Sequence, residues 1–180
     1  FLLIKASKRS DFQDITLIDP MCGSATILKE AKSFTNLNIR NFAYSNWNIK
    51  LDELQTKSNI KKQVNRIWNF KDIIGIERDN EIIQKSSFKN IKHGDFFDEF
   101  FDDPCILILN PPYGKRIKIE GKKTKYFESI IHHIKTKFSP EVFGLIIPID
   151  MSGHLRADEK IRFNQNGIKV DFLIYKKNES

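Results

Sequence analysis

Residues 105–114 read CILILNPPYG, and this stretch governs how the rest of the chain is interpreted. The run Cys105–Leu109 is the most apolar in the sequence, which predicts a buried strand at the centre of a sheet. Asn110-Pro111-Pro112-Tyr113 follows directly, and its two prolines remove two backbone N–H donors. The sequence therefore predicts a central strand that cannot hydrogen-bond onward, so that its last carbonyls point free.

Short apolar runs alternate with helical patterns on both sides of this strand. The predicted strands are at residues 15–19, 72–77, 90–93, 105–109, 142–149, 160–164 and 168–175. The predicted helices are at residues 26–34, 51–68, 79–88 and 126–138. Buried strands separated by helices are typical of a parallel sheet, and Asn166-Gly167 indicates a hairpin. The fold class is therefore α/β: a mostly parallel seven-stranded sheet with a C-terminal antiparallel hairpin and helices on both faces.

Length and composition indicate one soluble globular domain, residues 1–180. Hydrophobic residues make up 40% of the chain and charged residues 29%, which is not the composition of a disordered protein. No apolar run approaches the roughly 20 residues of a membrane-spanning helix, and no signal peptide is visible. Cys22 and Cys105 are too few for a disulfide framework, which favours a reducing cytoplasm.

The formal net charge of +7 results from 30 basic and 23 acidic side chains. It is compatible with a polyanionic partner such as nucleic acid. Lysine outnumbers arginine by 23 to 7, an excess that an AT-rich genome also produces. The charge alone therefore leaves both interpretations open.

The residues after the central strand suit the recognition of a planar amino group. The side-chain oxygen of Asn110 and the carbonyl of Pro111 can accept both hydrogens of such a group, and Tyr113 can stack on the ring that carries it. Two acceptors favour a pyramidal nitrogen and stabilise the positive charge that grows as the amine attacks. The alternative interpretation is a rigid Pro-Pro turn with a capping Asn.

A second loop, Asp19–Thr26 (DPMCGSAT), joins the first strand to its helix. Its small residues let backbone N–H groups approach a ligand, and a helix N-terminus favours a negative group. It contains neither the GxGxxG of dinucleotide-binding proteins nor a P-loop, which disfavours a nicotinamide-dependent oxidoreductase. Ligands of parallel sheets bind at the carboxyl ends of the strands, so the residues to examine are Asp19, Glu77, Asp95 and Asn110.

In this order and at these strand ends, DPMCGSAT, GIERD, HGD and LNPPYG resemble class I S-adenosylmethionine-dependent methyltransferases that methylate amino groups. More closely, the chain resembles the catalytic domain of THUMP-containing RNA guanine-N2 methyltransferases, including the bacterial large-subunit rRNA enzymes. The likeness runs from about Ile15 to the C-terminus. It implies a Rossmann-like fold, S-adenosylmethionine as cofactor, and methyl transfer to an exocyclic amine of a nucleic-acid base without a metal.

The resemblance also assigns roles by matching positions. Glu77 would accept hydrogen bonds from the ribose hydroxyls of the cofactor. The alternative for Glu77 is a solvated acid at a strand end. Asp95 would accept from the adenine amino group, with Phe96 beside the adenine and Arg78 over its other face. A helix cap is the alternative for Asp95. The methionine part of the cofactor would be held by Asp19, Pro20, Met21, Cys22, Gly23, Ser24 and Thr26, and the target base by Asn110, Pro111, Pro112 and Tyr113. Asn110 is also counted among the cofactor-binding residues.

Ala25 is a departure from the family, whose loop reads GSGT where this chain has GSAT. If the position requires a positive φ or a close backbone approach, the methyl group costs about 1 kcal/mol. The prediction is weakened cofactor binding rather than its loss.

The resemblance also implies an RNA-binding THUMP region upstream, which the sequence from Phe1 onward does not include. The segment 115–125 follows the NPPYG loop and carries a local net charge of +5. A cationic loop at this place can hold phosphates around an extruded base, although it can equally be a solvated lysine loop. Its predicted substrate-binding residues are Lys115, Arg116, Lys118, Lys122 and Lys123.

Three functions stay open from the residues. The favoured one is methylation of guanine N2 in RNA, with rRNA as the first candidate. The NPPY chemistry serves adenine N6 in DNA as well, so a DNA methyltransferase is the rival within the class. A non-catalytic RNA-binding module is the rival outside it, because Ala25 permits a weakened cofactor site. The sequence predicts no membrane partner and leaves the oligomeric state open.

Overall fold

The computed structural model describes residues 12–34, 70–112, 123–138, 140–165 and 167–177. Its strands are β1 (Thr16–Asp19), β2 (Asp72–Glu77), β3 (Ile91–His93), β4 (Cys105–Leu109), β5 (Val142–Pro148), β6 (Glu159–Gln165) and β7 (Ile168–Lys176). Its α-helices are α1 (Thr26–Phe34), α2 (Asn80–Lys85), α3 (Lys123–His133) and α4 (Ile149–Ser152). A 3-10 turn spans Phe96–Asp98, and a π-helical turn, Ile134–Phe138, follows α3.

The described strands form one sheet in the order β3-β2-β1-β4-β5-β7-β6. The pairs from β3 to β5 are parallel, whereas β7 runs antiparallel to both β5 and β6. The predicted fold class is therefore confirmed, with β4 at the centre of the sheet as its apolar run indicates. The strand order reverses between β1 and β4, and such a reversal opens a crevice at the carboxyl ends of the strands.

The two faces of the sheet carry separate layers of the core. Ile106 of β4 packs in one layer with Leu28 of α1, and Leu107 packs in the other layer with Phe127 of α3. Burial on both faces explains why β4 is apolar without alternation. No helix of the described ranges is long and apolar enough to cross a membrane.

Several helix boundaries differ from the predicted ones. The helix predicted at 79–88 ends at Lys85, because the Ser86 hydroxyl accepts from Phe88 N and donates to Ser24 O. The helix predicted at 126–138 begins three residues earlier and finishes as the π-helical turn. Helix α4 was not predicted, and the helix predicted at 51–68 lies outside the described residues.

Candidate functional site

The carboxyl ends of four parallel strands lie side by side at one edge of the sheet. Ile18 is in register with Leu107, Asp19 with Gly75, and Glu77 with His93. The sheet therefore brings to this edge the four residues selected from the sequence, which end or directly follow β1, β2, β3 and β4: Asp19, Glu77, Asp95 and Asn110.

Backbone hydrogen bonds brace the β1–α1 loop, residues 20–25, against β2. Cys22 N donates to Ile76 O at 3.0 Å, which continues the pairing of β1 with β2 beyond the strand end. Gly23 N donates to Glu77 Oε2 at 2.9 Å, and Ala25 N donates to Cys22 O at 2.8 Å. The loop is thus held in one shape by the strand beside it.

Glu77 supports two backbone segments at once. One carboxylate oxygen accepts from Gly23 N, and the other accepts from Asp79 N at 2.9 Å. Asp79 in turn caps α2 by accepting from Glu81 N. Each carboxylate oxygen of Glu77 retains a further lone pair, so the carboxylate can still accept hydroxyl groups. The ribose role of Glu77 stays a prediction.

Asp19 is a buried carboxyl group at the end of β1, with 2% of the residue exposed. Burial raises its pKa to about 7; the hydrogen bond from Met21 N lowers the pKa, and the charge of Glu77 raises it further. No lysine, arginine or histidine of the described ranges forms an ion pair with it. A buried carboxyl group of this kind is suited to a cationic ligand group.

Gly75 allows the loop to lie flush against β2. A Cβ atom at this position would lie 2.7 Å from Cys22 Sγ and 3.0 Å from Leu28 Cδ1. Glycine inside the strand DIIGIE marks a close approach, a signal that the sequence analysis did not use. Burial is the main reason why the pKa of the Cys22 thiol is raised to about 12. The thiol therefore stays protonated and unreactive.

Ala25 has φ +60°, and it is the only residue other than glycine with a positive φ in the described ranges. The positive φ that would make a methyl group costly at this position is therefore present. The residue is fully buried and packs in the same core layer as Leu28. Its methyl group thus faces the core, and the loop carries about 1 kcal/mol of backbone strain.

The other predicted loop residues differ in accessibility. Ser24 and Thr26 are exposed, and their hydroxyl oxygens lie 3.1 Å apart. Met21 is half-buried, and Pro20 is buried. A ligand at the helix N-terminus would therefore meet the two hydroxyl groups, while the proline supports the loop from within.

Asp95 caps the 3-10 turn that follows β3. Its Oδ1 accepts from Phe97 N at 3.0 Å, which is the capping alternative raised from the sequence. Its Oδ2 lies 4.0 Å from Arg78 Nη1, and the Arg78 side chain is exposed. One carboxylate oxygen is therefore used by the cap and the other lies near Arg78, and the contact of Asp95 with an adenine amino group stays a prediction.

Phe96 lies in the core rather than in the crevice. Its ring stacks on Phe138 and meets His133 edge-on, and only 3% of the residue is exposed. The neighbouring Phe97 is 41% exposed. Phe97 is therefore the more accessible of the two aromatic rings beside Asp95, whereas the Phe96 ring, predicted to lie beside the adenine, is buried in the core.

Tyr126 joins α3 to the β1–α1 loop and was missed by the sequence analysis. Its hydroxyl donates to Met21 Sδ at 4.0 Å, and its ring meets Phe97 edge-on with centroids 6.4 Å apart. Burial raises its pKa, Arg78 lowers it and Asp95 raises it, which places the phenol near both charges. Tyr126 thus links the first helical turn after segment 115–122 to the loop at the end of β1.

Asn110 carries a buried oxygen without a partner. Its Oδ1 accepts no hydrogen bond from the residues that the structure describes. Pro111 is buried and Pro112 is exposed. The described ranges exclude Tyr113, Lys115, Arg116, Lys118 and Lys122, and of Lys123 they include only the backbone, so the roles of these residues stay predictions.

A family model described as UPF0020, RMKL-like, methyltransferase domain, matches residues 7–152. The chain belongs to this family. The membership confirms the resemblance to methyltransferase catalytic domains that the four motifs indicate.

Relatives of this RMKL-like domain include two RNA methyltransferases. The tRNA (guanine(6)-N2)-methyltransferase of Methanocaldococcus jannaschii is 27% identical over 143 residues, which cover 70% of this chain and 38% of that protein. The ribosomal RNA large subunit methyltransferase K/L of Shewanella pealeana is 27% identical over 205 residues, which cover 97% of this chain and 27% of that protein. The chain therefore spans less than two fifths of either relative.

A solved structure supports the fold. SMU.472, a candidate methyltransferase complexed with SAH, aligns with a TM-score of 0.62 and 18% identity. The alignment covers 96% of this chain and 50% of that one. The two chains thus share the sheet and its flanking helices.

Proposed function

We propose that this chain is the catalytic domain of an S-adenosylmethionine-dependent methyltransferase that acts on an exocyclic amino group of an RNA base. Guanine N2 is the first candidate, because one relative is named a tRNA (guanine(6)-N2)-methyltransferase, and RNA is the substrate class because the other is named a ribosomal RNA large subunit methyltransferase. The observation that carries the proposal is the unpartnered Oδ1 of Asn110 at the end of the central strand. A buried acceptor without a donor costs about 1–3 kcal/mol, and the N–H of a bound amine removes that cost.

The residues at the strand ends fit S-adenosylmethionine. Asp19 offers a buried carboxylate to the ammonium group of the methionine part. Glu77 offers lone pairs to ribose hydroxyls, and Asp95 and Phe97 border the place where an adenine would lie. When bound, S-adenosylmethionine supplies a methyl group that its sulfonium already activates.

The chain contributes position and charge to the transfer. Asn110 Oδ1 and the Pro111 carbonyl accept the two hydrogens of the amine and orient its lone pair. These acceptors are fixed before the reaction, so they stabilise the positive charge on nitrogen without reorganising. Holding the amine in line with the reacting carbon removes a further part of the barrier. The half-buried Tyr126 contacts Met21 and so supports the cofactor loop from the side of α3.

Asn110→Ala tests this proposal. We expect methyl transfer from labelled S-adenosylmethionine to RNA to fall by about 100- to 1,000-fold, as is typical when one preorganised electrostatic partner is removed. The dissociation constant for S-adenosylhomocysteine should be unchanged. The melting temperature should not fall, because the substitution removes an unsatisfied acceptor rather than a hydrogen bond.

Asn164→Ala is the matched control, since Asn164 is an exposed amide on β6. RNA and DNA oligonucleotides are assayed in parallel, and the methylated nucleoside is identified by mass spectrometry after digestion. Undiminished transfer by Asn110→Ala would overturn the mechanism. Absence of any thermal shift with S-adenosylhomocysteine would overturn the cofactor, since a ligand at a hundred times its dissociation constant adds about 2.7 kcal/mol.

A further inference from the structure

A basic cleft lies on the face of the sheet that α1 covers. Its volume is about 290 Å³, and it runs between α1 and the connection from α2 to β3. Its lining residues are Lys29, Lys32, Ser33, Ser87, Phe88 and Lys89. With a rise of about 1.5 Å per helical residue, Lys29 to Ser33 lie roughly 5 to 12 Å along the helix from the β1–α1 loop.

The lining of the basic cleft carries three positive charges and no carboxylate. Lys29 and Lys89 form no ion pair with any residue of the described ranges. Other lysines of those ranges do pair with a carboxylate, namely Lys71, Lys85, Lys92 and Lys176. The charge of the cleft is therefore not neutralised by its own lining, and it is complementary to a polyanion.

The packing beneath the basic cleft connects it to the cofactor side of the crevice. The Lys32 ammonium lies 5.8 Å from the centroid of the buried Phe88 ring. Phe88 N donates to Ser86 Oγ at 3.2 Å, and that hydroxyl donates to Ser24 O at 3.3 Å. The cleft and the β1–α1 loop are thus parts of one braced unit.

The lysines of the basic cleft come from two different walls. Lys29 and Lys32 stand one turn apart on α1, and Lys89 comes from the connection that forms the other wall. Cations on two walls can contact successive phosphates of one chain. Ser87 adds an exposed hydroxyl that can donate to a phosphate oxygen.

We infer that the basic cleft binds the phosphodiester backbone of a single-stranded RNA segment next to the nucleotide that is methylated. The inference rests on the proposed function and adds a substrate contact outside the crevice. A base that presents its amino group to Asn110 has left its stack, so the flanking backbone must be held elsewhere on the protein. Lysine contacts to phosphates supply affinity that is independent of sequence and sensitive to salt.

The test compares two triple variants of the full chain. Lys29→Gln/Lys32→Gln/Lys89→Gln removes the charges of the cleft and keeps polar, though shorter, side chains at the three positions. The matched control carries the same loss of charge on the opposite face and at the end of β7: Lys135→Gln, Lys137→Gln and Lys177→Gln. Fluorescence anisotropy with a labelled single-stranded RNA of mixed sequence gives the dissociation constant across a salt series.

The cleft variant should bind this RNA about tenfold more weakly at low salt. The slope of its log affinity against log salt should decrease by about 2, because each lost single-strand phosphate contact removes about 0.7. The control variant should keep nearly the full slope. An unchanged slope in the cleft variant, or an equal decrease in the control, would overturn the inference.

A thermal-shift measurement with S-adenosylhomocysteine separates this inference from the proposed function. All three proteins should show the same ligand-induced shift, because the substituted lysines lie outside the crevice. No shift in any of them, together with a reduced slope in the cleft variant, would sustain RNA binding while refuting the cofactor. The single variant Lys89→Gln, which leaves α1 intact, should lower the slope by about 0.7 and repeats the test without altering the helix.

Discussion

The β1–α1 loop and the end of β4 face the same crevice, yet they differ in how far their polar groups are satisfied. In the loop, the N–H groups of Cys22, Gly23 and Ala25 all have acceptors within the chain. At the end of β4, Asn110 Oδ1 has no donor in the described ranges. These three N–H groups of one wall are therefore satisfied without a ligand, whereas the other wall presents an acceptor that the proposed amine would satisfy.

Because of this difference, substitutions in the two walls should affect different properties of the protein. Substitutions in the braced loop should change the free energy of unfolding and cofactor affinity together. Substitution at the end of β4 should lower turnover without lowering stability or cofactor affinity, as expected for Asn110→Ala. Asp19, at the end of β1 beside the loop, is the exception, because its buried carboxyl group forms no ion pair with a cation of the described ranges.

Asp19→Asn should have the largest effect on stability. The folded pKa of Asp19 is about 7, whereas the unfolded value is near 3.8. Between these values the folded state holds a proton that the unfolded state has released, so wild-type stability falls as the pH rises from 4 to 7. At pH 8 the variant should therefore be more stable by about 2–4 kcal/mol, while at pH 4 the two should be equal.

Urea unfolding at several pH values measures this difference, with the exposed Asp102→Asn as control. The same substitution should weaken S-adenosylmethionine binding at pH 8 by about tenfold or more, since the ammonium loses a charged acceptor. Equal stability of Asp19→Asn and wild type across the pH range would mean that Asp19 is balanced by a cation, and the contrast between the walls would fail.

Gly75→Ala should have the next largest effect. The added Cβ would overlap Cys22 Sγ, so we expect a loss of about 1–3 kcal/mol and weaker cofactor binding as the loop moves off β2. Gly153→Ala is the control, because no atom lies within 4 Å of a Cβ there. Unfolding by urea and titration with S-adenosylhomocysteine are the measurements.

Cys22→Ala in the Gly75→Ala background sharpens this test. Removing Sγ relieves the closest contact but leaves Leu28 Cδ1 at 3.0 Å, so we expect partial recovery of both stability and affinity. A double-mutant cycle should give a favourable coupling energy. Strict additivity of the two substitutions would show that the loop is not seated on β2 through this contact.

Ala25→Gly should have the smallest effect. Relief of the left-handed backbone is worth about 1 kcal/mol, and loss of a buried methyl group offsets about 0.8 kcal/mol of it. The stability change should therefore stay within about 0.5 kcal/mol. S-adenosylhomocysteine should bind up to about fivefold more tightly, the equivalent of 1 kcal/mol, if the relieved loop adapts to the ligand. An unchanged affinity in calorimetry would contradict the predicted weakening by Ala25.

The strand ends were predictable because each apolar run, and the polar residue at which it ends, can be identified from a few consecutive residues of the sequence. Asp19, Glu77 and Asn110 all end up where the sequence places them, at one edge of a parallel sheet. The burial of Phe96 and the exposure of Phe97 were not predictable. Which of two adjacent aromatic rings enters the core depends on the packing of Phe138 and His133, far along the chain.

Tyr126 escaped prediction for a related reason. In the sequence it is one apolar position of a helix, and its contact with Met21 exists only once α3 is packed on the sheet. The early end of α2 likewise depends on a remote partner, the carbonyl of Ser24. Periodicity predicts which residues are buried, whereas contacts between distant segments decide which of the remaining ones reach a ligand.

The position of β7 between β5 and β6 gives the two halves of the sheet different folding speeds. Gln165 pairs with Ile168 and Pro148 with Val170, so this half closes over short loops. Thr16 pairs with both Asp72 and Cys105, which requires much longer loops and a larger loss of chain entropy. In refolding from urea, amide protons of β7 should therefore become protected before those of β1, and the crevice should be the last part of the molecule to form.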